Sequence, residues 1–324
     1  MHSIKELKQM VDERLGSLEL RQQPADLYDP IRYMLSLGGK RMRPVLVLMG
    51  CDLFNGKIKD ALSSATGIEV FHNFTLLHDD IMDDAPLRRS KPTVFRKWNP
   101  NVAILSGDAM FVRSCQLMMD CPAPKVQEVM DIFLENSLLV CEGQQLDMDF
   151  EDLDTVSIDS YIEMIGKKTA VLLAGALKIG AVIAGADPGQ AEHIYRFGKN
   201  IGIAFQLKDD ILDVFGDEFM TGKQTGGDII ANKKTFLLLK AIELAGAEDR
   251  KLLDYWIGKD SPVIEEKVQA VKEVYQRTGI REIAESEMEK YYKAAMKDME
   301  AIDVPDSRKE MLMEFASQLM VRTQ

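Results

Sequence analysis

Residues 194–213 read Ile-Tyr-Arg-Phe-Gly-Lys-Asn-Ile-Gly-Ile-Ala-Phe-Gln-Leu-Lys-Asp-Asp-Ile-Leu-Asp. Ile194, Phe197, Ile201 and Phe205 recur at helical spacing, so the stretch predicts an α-helix that ends in an acidic run. That run, Asp209-Asp210-Ile211-Leu212-Asp213, has a counterpart of identical spacing 130 residues earlier, Asp79-Asp80-Ile81-Met82-Asp83. Positions i and i+4 share a helix face, which pairs Asp79 with Asp83 and Asp209 with Asp213. Carboxylates so concentrated repel one another unless a cation lies among their oxygens. Hard oxygen donors with no chelating His or Cys pattern nearby favour Mg²⁺ over a transition metal. Two such faces opposed across a cavity would hold a metal–diphosphate between them. The competing reading is a pair of solvated helix faces on an acidic chain.

Working outward, helical periodicity dominates. Ile4, Leu7, Val11, Leu15 and Leu18 repeat the pattern, and alternating period-2 segments are nearly absent. Pro and Gly fall between the periodic stretches, at Pro24, Pro30, Gly38-Gly39, Asn99-Pro100, Pro122 to Pro124, Asp187-Pro188-Gly189, Gly226-Gly227, Pro262 and Pro305. That punctuation predicts roughly ten or more helices on mostly short loops. With no linker, low-complexity tract or internal repeat, residues 1–324 are expected to form one all-α domain.

A 46% hydrophobic content is enough for a sizeable core. The net charge of −12 argues against sequence-independent binding of nucleic acid or of an anionic membrane surface. Cys51, Cys115, Cys121 and Cys141 form no CxxC pair, as expected of free thiols in a reducing compartment. Met1 opens no charged-then-apolar leader, and no apolar run reaches about 18 residues. The expectation is a cytoplasmic protein with no membrane span.

The cationic residues therefore matter where they cluster. Gly38-Gly39-Lys40-Arg41-Met42-Arg43-Pro44 combines a tight backbone with the start of an apolar helix, flanked by three cations. Free N–H groups and basic side chains together make an anion site. Arg88-Arg89 follows Asp83 closely, which suits a diphosphate bridged by metal on one side and guanidinium on the other; a salt-bridged helix end is the plainer alternative. Lys167-Lys168-Thr169 precedes a small-residue helix containing Ala170, Ala174, Gly175, Ala176 and Gly180. Gly143-Gln144-Gln145-Leu146-Asp147 and Phe205-Gln206 place polar groups in apolar helices, as core hydrogen-bonders or cavity liners. Gly222-Lys223 and Lys233-Lys234-Thr235 bracket the segment after the second acid face and could close over a polyanion. His72 lies two turns before Asp79; a lone His on an apolar helix is ordinarily a satisfied core residue. No zinc set and no Ser–His–Asp grouping is present.

In order, GGKRMRP, HDDIMD, RR, GQxxD, KT, FQ, DDILD, GK and KKT span roughly residues 38 to 235. This collinear set resembles the trans-polyprenyl diphosphate synthases, the head-to-tail prenyltransferases. The final 80 or so residues neither add to the resemblance nor contradict it. The resemblance implies an isoprenoid-synthase orthogonal helix bundle around a deep central cavity, assembled as a homodimer. It implies a set of roughly three Mg²⁺ ions, with Asp79, Asp83 and Asp209 as direct ligands and Asp80, Asp210 and Asp213 acting more through bound water. Arg88, Lys168, Lys223 and Lys233 resemble contacts to the allylic diphosphate, and Lys40, Arg43, His72 and Arg89 the isopentenyl diphosphate site. Thr169 and Gln206 resemble the cavity residues whose oxygens face a carbocation. Asn232 departs from the family, which usually has Gly before the lysine.

Product length follows from where the growing tail meets bulk. A helical turn rises about 5.4 Å, close to one isoprene unit, so the tail should pass Thr75, Phe74, Phe71 and Val70. Phe74 or Phe71 would form the floor, with Thr75 leaving room above. An aromatic residue five positions before the first triplet resembles short-product enzymes, which implies geranylgeranyl diphosphate (C20), with farnesyl diphosphate (C15) as the alternative. The rivals are a class I terpene cyclase, a metal-binding helical bundle and a non-catalytic partner subunit. The second DDxxD, the GGKRMRP stretch, the lack of paired ExxH signatures and the intact triplets argue against them.

Overall fold

The computed structural model describes residues 2–216, 225–257 and 263–321. Many of the breaks between helices fall at Pro and Gly; Pro30, expected between helices, instead lies inside the helix Ala25–Ser36. Helices form where apolar residues recur at helical spacing. They are α1 (Ile4–Gly16), α2 (Ala25–Ser36), α3 (Met42–Leu53), α4 (Ile58–Met82), α5 (Val94–Lys97), α6 (Pro100–Met119), α7 (Val126–Asp152), α8 (Ile158–Ile165), α9 (Val171–Ala184) and α10 (Pro188–Phe215). After these come α11 (Gly227–Ile230), α12 (Phe236–Leu244), α13 (Ala247–Trp256), α14 (Ile264–Arg277), α15 (Ile280–Glu300) and α16 (Asp306–Val321). Sequence-legible caps set several starts. Ser3 and Glu6 form a reciprocal capping box on α1, and Asn99 accepts the Val102 N–H at 2.9 Å with Pro100 in the first turn of α6.

Among the described residues the chain is all-α apart from one hairpin, β1 (Leu87–Arg88) and β2 (Lys91–Pro92). Its two central residues, Arg89 and Ser90, have φ of 52° and 61°, the left-handed pair that a two-residue hairpin turn requires. Neither is glycine, so local strain is stored where Arg89 is aimed.

The chain divides into two compact units. One holds the residues up to Glu135 with Gly175–Tyr195 and Asp303–Met311; the other holds Asn136–Ala174, Arg196–Ile302 and the residues from Leu312 onward. Four of the five boundaries fall inside helices, α7, α9, α10 and α16, and the fifth lies between α15 and α16. In the first unit α4 is buried on almost every side, between α3 and α6, as an apolar-all-round helix must be. The small-residue helix α9 meets α3 backbone to backbone. A Cβ on Gly180 would stand 1.9 Å from the Val47 carbonyl oxygen, and one on Gly50 would stand 2.3 Å from that of Leu177. α6 is, among the described residues, the helix long and apolar enough by length and composition to cross a membrane. One of its stripes, including Ala103, Met110 and Leu117, is buried in this unit's core, while Leu105, Val112 and Met119 form an exposed stripe at seven-residue spacing.

The second unit gathers Tyr161, Ile165, Leu207, Ile211, Phe236, Val271, Val274 and Tyr275 into its core. Between α8 and α9 the chain makes one π turn, Gly166–Ala170, which carries Lys168 and Thr169. Such widened turns displace side chains from the regular helical face and recur at functional sites.

Candidate active site

The first acid triplet sits in the last turn of α4, with Asp83 as its C-cap. The second lies in the last two turns of α10. Both helices thus present carboxylates at the negative end of their own dipole, which makes each end more attractive to a cation and costlier without one. The three carboxylates of each triplet are not equivalent. Asp80 is 1% exposed, whereas Asp79 is half-buried and Asp83 exposed; Asp210 is 3% exposed, whereas Asp209 is exposed.

Asp80 is gripped by Arg88, whose Nε reaches both carboxylate oxygens at 2.8 and 2.9 Å and whose Nη2 reaches Oδ1 at 2.7 Å. Burial raises the Asp80 pKa, and the Arg88 bonds oppose that rise. Next to this pair is an arginine cluster built on α3, α4 and the hairpin. Arg41, which has φ 55°, bonds Glu69 at 2.5 Å and Asp12 at 3.0 Å, so the sequence GKRMR contains one structural arginine. Arg43 and Arg89 differ, because the bonds recorded for them go to neutral groups. Arg43 Nη1 lies 3.1 Å from His72 Nε2, and Arg89 donates to the Gly38 carbonyl while packing against Gly39. Arg43 Nε is buried with no hydrogen-bond partner among the described residues.

His72 has its pKa driven well below 6.5 by burial first and then by Arg43, Arg89, Arg88 and Arg41. It is therefore neutral and accepts from Arg43. Loss of hydration lowers the Arg43 pKa to about 10, which leaves it cationic at neutral pH. Lys40 is exposed in the same turn. The residues singled out for an isopentenyl diphosphate site thus come together as a positive, partly dehydrated cluster.

Below Asp79 on α4, Phe71 is fully buried and Phe74 half-buried. Their ring centroids lie 5.6 Å apart, and each ring also meets Phe111 of α6, at 6.1 Å and 5.6 Å. Phe133 of α7 closes the cluster 5.3 Å from Phe71. His78 packs on Phe74 and hydrogen-bonds the Ile104 carbonyl, and Thr75 donates to the His72 carbonyl at 2.9 Å.

In the second unit, a cavity of about 140 Å³ is lined by Asp147, Lys168, Thr169, Gln206, Asp210 and Asp228, among others. Lys168 bonds Asp147 at 2.5 Å. A Cβ on Gly143 would stand 2.3 Å from the Lys168 backbone nitrogen, which explains why a glycine precedes Asp147 by one helical turn. Thr169 Oγ1 donates to Gln206 Oε1 at 3.2 Å, and Gln206 Nε2 donates to Asp210 Oδ1 at 3.2 Å. Tyr161 donates to the other Asp210 oxygen. Burial pushes the Asp210 carboxyl up to about 7, against the hydrogen bonds from Tyr161 and Gln206. Asp213 accepts the Asp228 backbone N–H at 2.9 Å.

Lys233 is exposed, with its ammonium 3.9 Å from Asp228, whereas Lys234 is tied to the Phe150 and Glu151 carbonyls at the end of α7. Lys223 lies outside the described residues. Four residues here escaped sequence reasoning. Asp228 had a signal, a carboxylate directly after Gly226-Gly227 and before the lysines; burial and Asp213 raise its pKa to about 6. Tyr161, Phe111 and Phe133 had none, because each sits at ordinary core spacing.

Among the described residues, no three His, Cys, Asp or Glu side chains are drawn together as a ready-made ion cage. Mg²⁺ retains waters and takes one or two carboxylates plus substrate phosphates. Accessible, oxygen-only donors at two helix C-termini fit an ion of that kind.

Comparison with known proteins agrees with this geometry. The family model for polyprenyl synthetase matches residues 24–277. The short chain isoprenyl diphosphate synthase of Methanothermobacter thermautotrophicus is 35% identical over 97% of this chain and 96% of its own. The geranylgeranyl diphosphate synthase of Sulfolobus acidocaldarius is 36% identical over 89% of each chain. A crystal structure of a geranylgeranyl pyrophosphate synthase superposes with a TM-score of 0.95 at 44% identity, covering 100% of both chains.

Proposed function

The chain belongs to the polyprenyl synthetase family, and from that premise we propose that it is a trans-prenyltransferase. In this reading it condenses isopentenyl diphosphate with a C5–C15 allylic diphosphate in a Mg²⁺-dependent head-to-tail 1′–4 reaction, giving geranylgeranyl diphosphate. The observation that carries it is the pair Arg43 and Arg89, cations hydrogen-bonded to neutral groups beside a neutral His72. A cluster that retains its positive charge, with a buried guanidinium nitrogen unpaired, suits a second diphosphate in addition to the one served by the acid triplets. A cyclase, which handles one diphosphate, has no use for it.

Asp79, Asp83 and Asp209 would hold the ions, roughly three in number, with Asp80, Asp210 and Asp213 behind them. When bound, Mg²⁺ supplies the charge that stabilises the departing diphosphate. Arg88, Lys168, Lys223 and Lys233 contact the allylic diphosphate, and Asp80 and Asp147 fix the directions of Arg88 and Lys168. Lys40, Arg43, His72 and Arg89 hold isopentenyl diphosphate. Thr169 uses its proton on Gln206, so its oxygen lone pairs remain available to an allylic cation. Met164 and Ile165 supply the apolar part of the same cavity lining, the kind of surface needed beside a cation that water would quench.

Phe74, Phe71 and Thr75 set product length, supported by the ring cluster that Phe111 and Phe133 complete. Four interlocked rings where two were expected also favour a second reading, a farnesyl (C15) product. The exposed α6 stripe Leu105, Val112 and Met119 would face a second copy of the chain in a homodimer. The four cysteines are all free, in keeping with a cytoplasmic setting. Incubation with Mg²⁺, isopentenyl diphosphate and each of the C5, C10 and C15 primers, followed by mass spectrometry, tests the reading. C20 from every accepted primer supports it, and a cyclic hydrocarbon or no elongation removes it.

A further inference from the structure

Lys267, on α14 in the C-terminal region outside every motif, is 3% exposed. Lysine is seldom buried without a specific partner. Its ammonium donates to Asn232 Oδ1 at 2.6 Å and to the Ile230 carbonyl at 3.3 Å. Both acceptors lie in the turn that ends α11.

That turn has a defined geometry. The Lys233 N–H bonds the Asp228 carbonyl at 2.9 Å, and the Asn232 N–H bonds the Ile229 carbonyl at 3.2 Å. These are the two bonds of a Schellman cap, whose C′ residue must be left-handed. Asn232 occupies that place with φ 54°. Glycine adopts this conformation freely; asparagine tolerates it better than other side chains do. The cap fixes Lys233, the next residue, and Asp228, whose N–H is held by Asp213. α14 holds the same segment at two further points: Lys272 donates to Thr225 Oγ1 at 2.9 Å, and Val268 packs against Gly226.

We propose that Lys267 is a positioning residue, which anchors the Asn232 side chain and so locks the cap that presents Lys233 to the allylic diphosphate. Asn232 and Lys267 form a coupled pair, and the pair explains how this chain accommodates asparagine where glycine is usual. The proposal rests on the reading of Lys233 as a diphosphate contact.

Steady-state kinetics on Lys267→Met, Asn232→Gly and the double variant test it, with Lys233→Ala as reference. Lys267→Met removes the ammonium and keeps the length of the side chain. The expected result is a rise of about tenfold in KM for the allylic substrate, with KM for isopentenyl diphosphate within about twofold of the parent. Asn232→Gly alone stays within about twofold, because glycine needs no anchor. Added to Lys267→Met, it recovers most of the lost allylic affinity, a non-additivity that separates coupling from two independent effects. If Lys267→Met does not accumulate as folded protein, Asn232→Ala removes the acceptor and places alanine at positive φ, with the same selective rise expected.

An equal rise in both KM values, or additive effects in the double variant, overturns the proposal and marks Lys267 as general support for the fold. A rise with Lys233→Ala but none with Lys267→Met overturns the proposal alone. No rise with Lys233→Ala overturns the parent reading and the proposal with it.

Discussion

The two acid triplets share one spacing and differ in what grips the buried middle carboxylate. Asp80 is held by a guanidinium through three contacts of 2.7 to 2.9 Å, whereas Asp210 is held by a phenol and an amide. The Arg88 bonds oppose the rise that burial imposes on the Asp80 carboxyl, and Asp80 in return orients Arg88. At Asp210 the opposing hydrogen bonds come from neutral groups, Tyr161 and Gln206, and burial pushes the carboxyl up to about 7. Identical helix faces can therefore serve different ends. The first triplet is tied to Arg88, the proposed diphosphate contact, and the second to the Gln206–Thr169 chain beside the cavity.

The largest effect is expected where the triplets act alike. Asp79→Ala and Asp209→Ala should each lower kcat on the order of a thousandfold or more while circular dichroism and thermal unfolding stay near those of the parent. A triplet whose leading aspartate can be removed with little loss would not be a metal site, and the parallel would fail there.

Stability separates the middle residues. Asp80→Asn strips a partly buried guanidinium of its counter-charge. Arg88 is 25% exposed, so the cost falls below that of a fully buried pair, at about 2 kcal/mol. Asp210→Asn leaves a carboxamide oxygen that still accepts from Tyr161, and should cost below about 1 kcal/mol. Urea unfolding of both variants measures the difference, and equal losses would erase the distinction.

Phe74→Ala should lengthen the product by about one isoprene unit, because Phe71 and Phe111 remain behind it as a lower floor. Mass spectrometry of the products reads this directly, and an unchanged chain length would remove Phe74 as the stop.

The smallest effect concerns His72. Its folded pKa lies well below 6.5, so below about pH 6.5 the unfolded chain binds a proton that the folded chain does not. Its contribution is complete above that pH and is lost as pH falls toward the folded value. His72→Gln keeps a neutral acceptor for Arg43 and should flatten the apo-protein's stability curve between about pH 6.5 and 5. An unaltered curve would show that His72 takes up its proton in the fold as it does in the unfolded chain.

Much of this was legible in the sequence because period and punctuation are local signals. The helix ending in Asp209–Asp213 came from spacing, the break at Asn99-Pro100 before α6 from punctuation, and the small-residue character of α9 from residue type. The hairpin at Arg88-Arg89 did not. Its turn residues are Arg and Ser in left-handed conformations, where sequence normally supplies Asn or Gly. The π turn was hidden too, since nothing in Lys167-Lys168-Thr169, read only as preceding a small-residue helix, marks a widened turn. The cation cluster was visible in outline, but composition could not say that Arg41 is neutralised by Glu69 and Asp12 while Arg43 and Arg89 are not. Partners 28 and 29 residues away decide that. Phe111 and Phe133 join the Phe71–Phe74 pair through tertiary packing, which leaves no mark on the sequence around them.

The central claim is that carboxylate-held Mg²⁺ and the arginine cluster act on two diphosphates in one condensation. The most direct test is to follow product formation from isopentenyl diphosphate and a C15 primer across a Mg²⁺ titration, with excess EDTA as the zero point. The account predicts a C20 diphosphate that appears with Mg²⁺ and vanishes with EDTA. Undiminished turnover in EDTA, or primer consumption without incorporation of isopentenyl diphosphate, would contradict it.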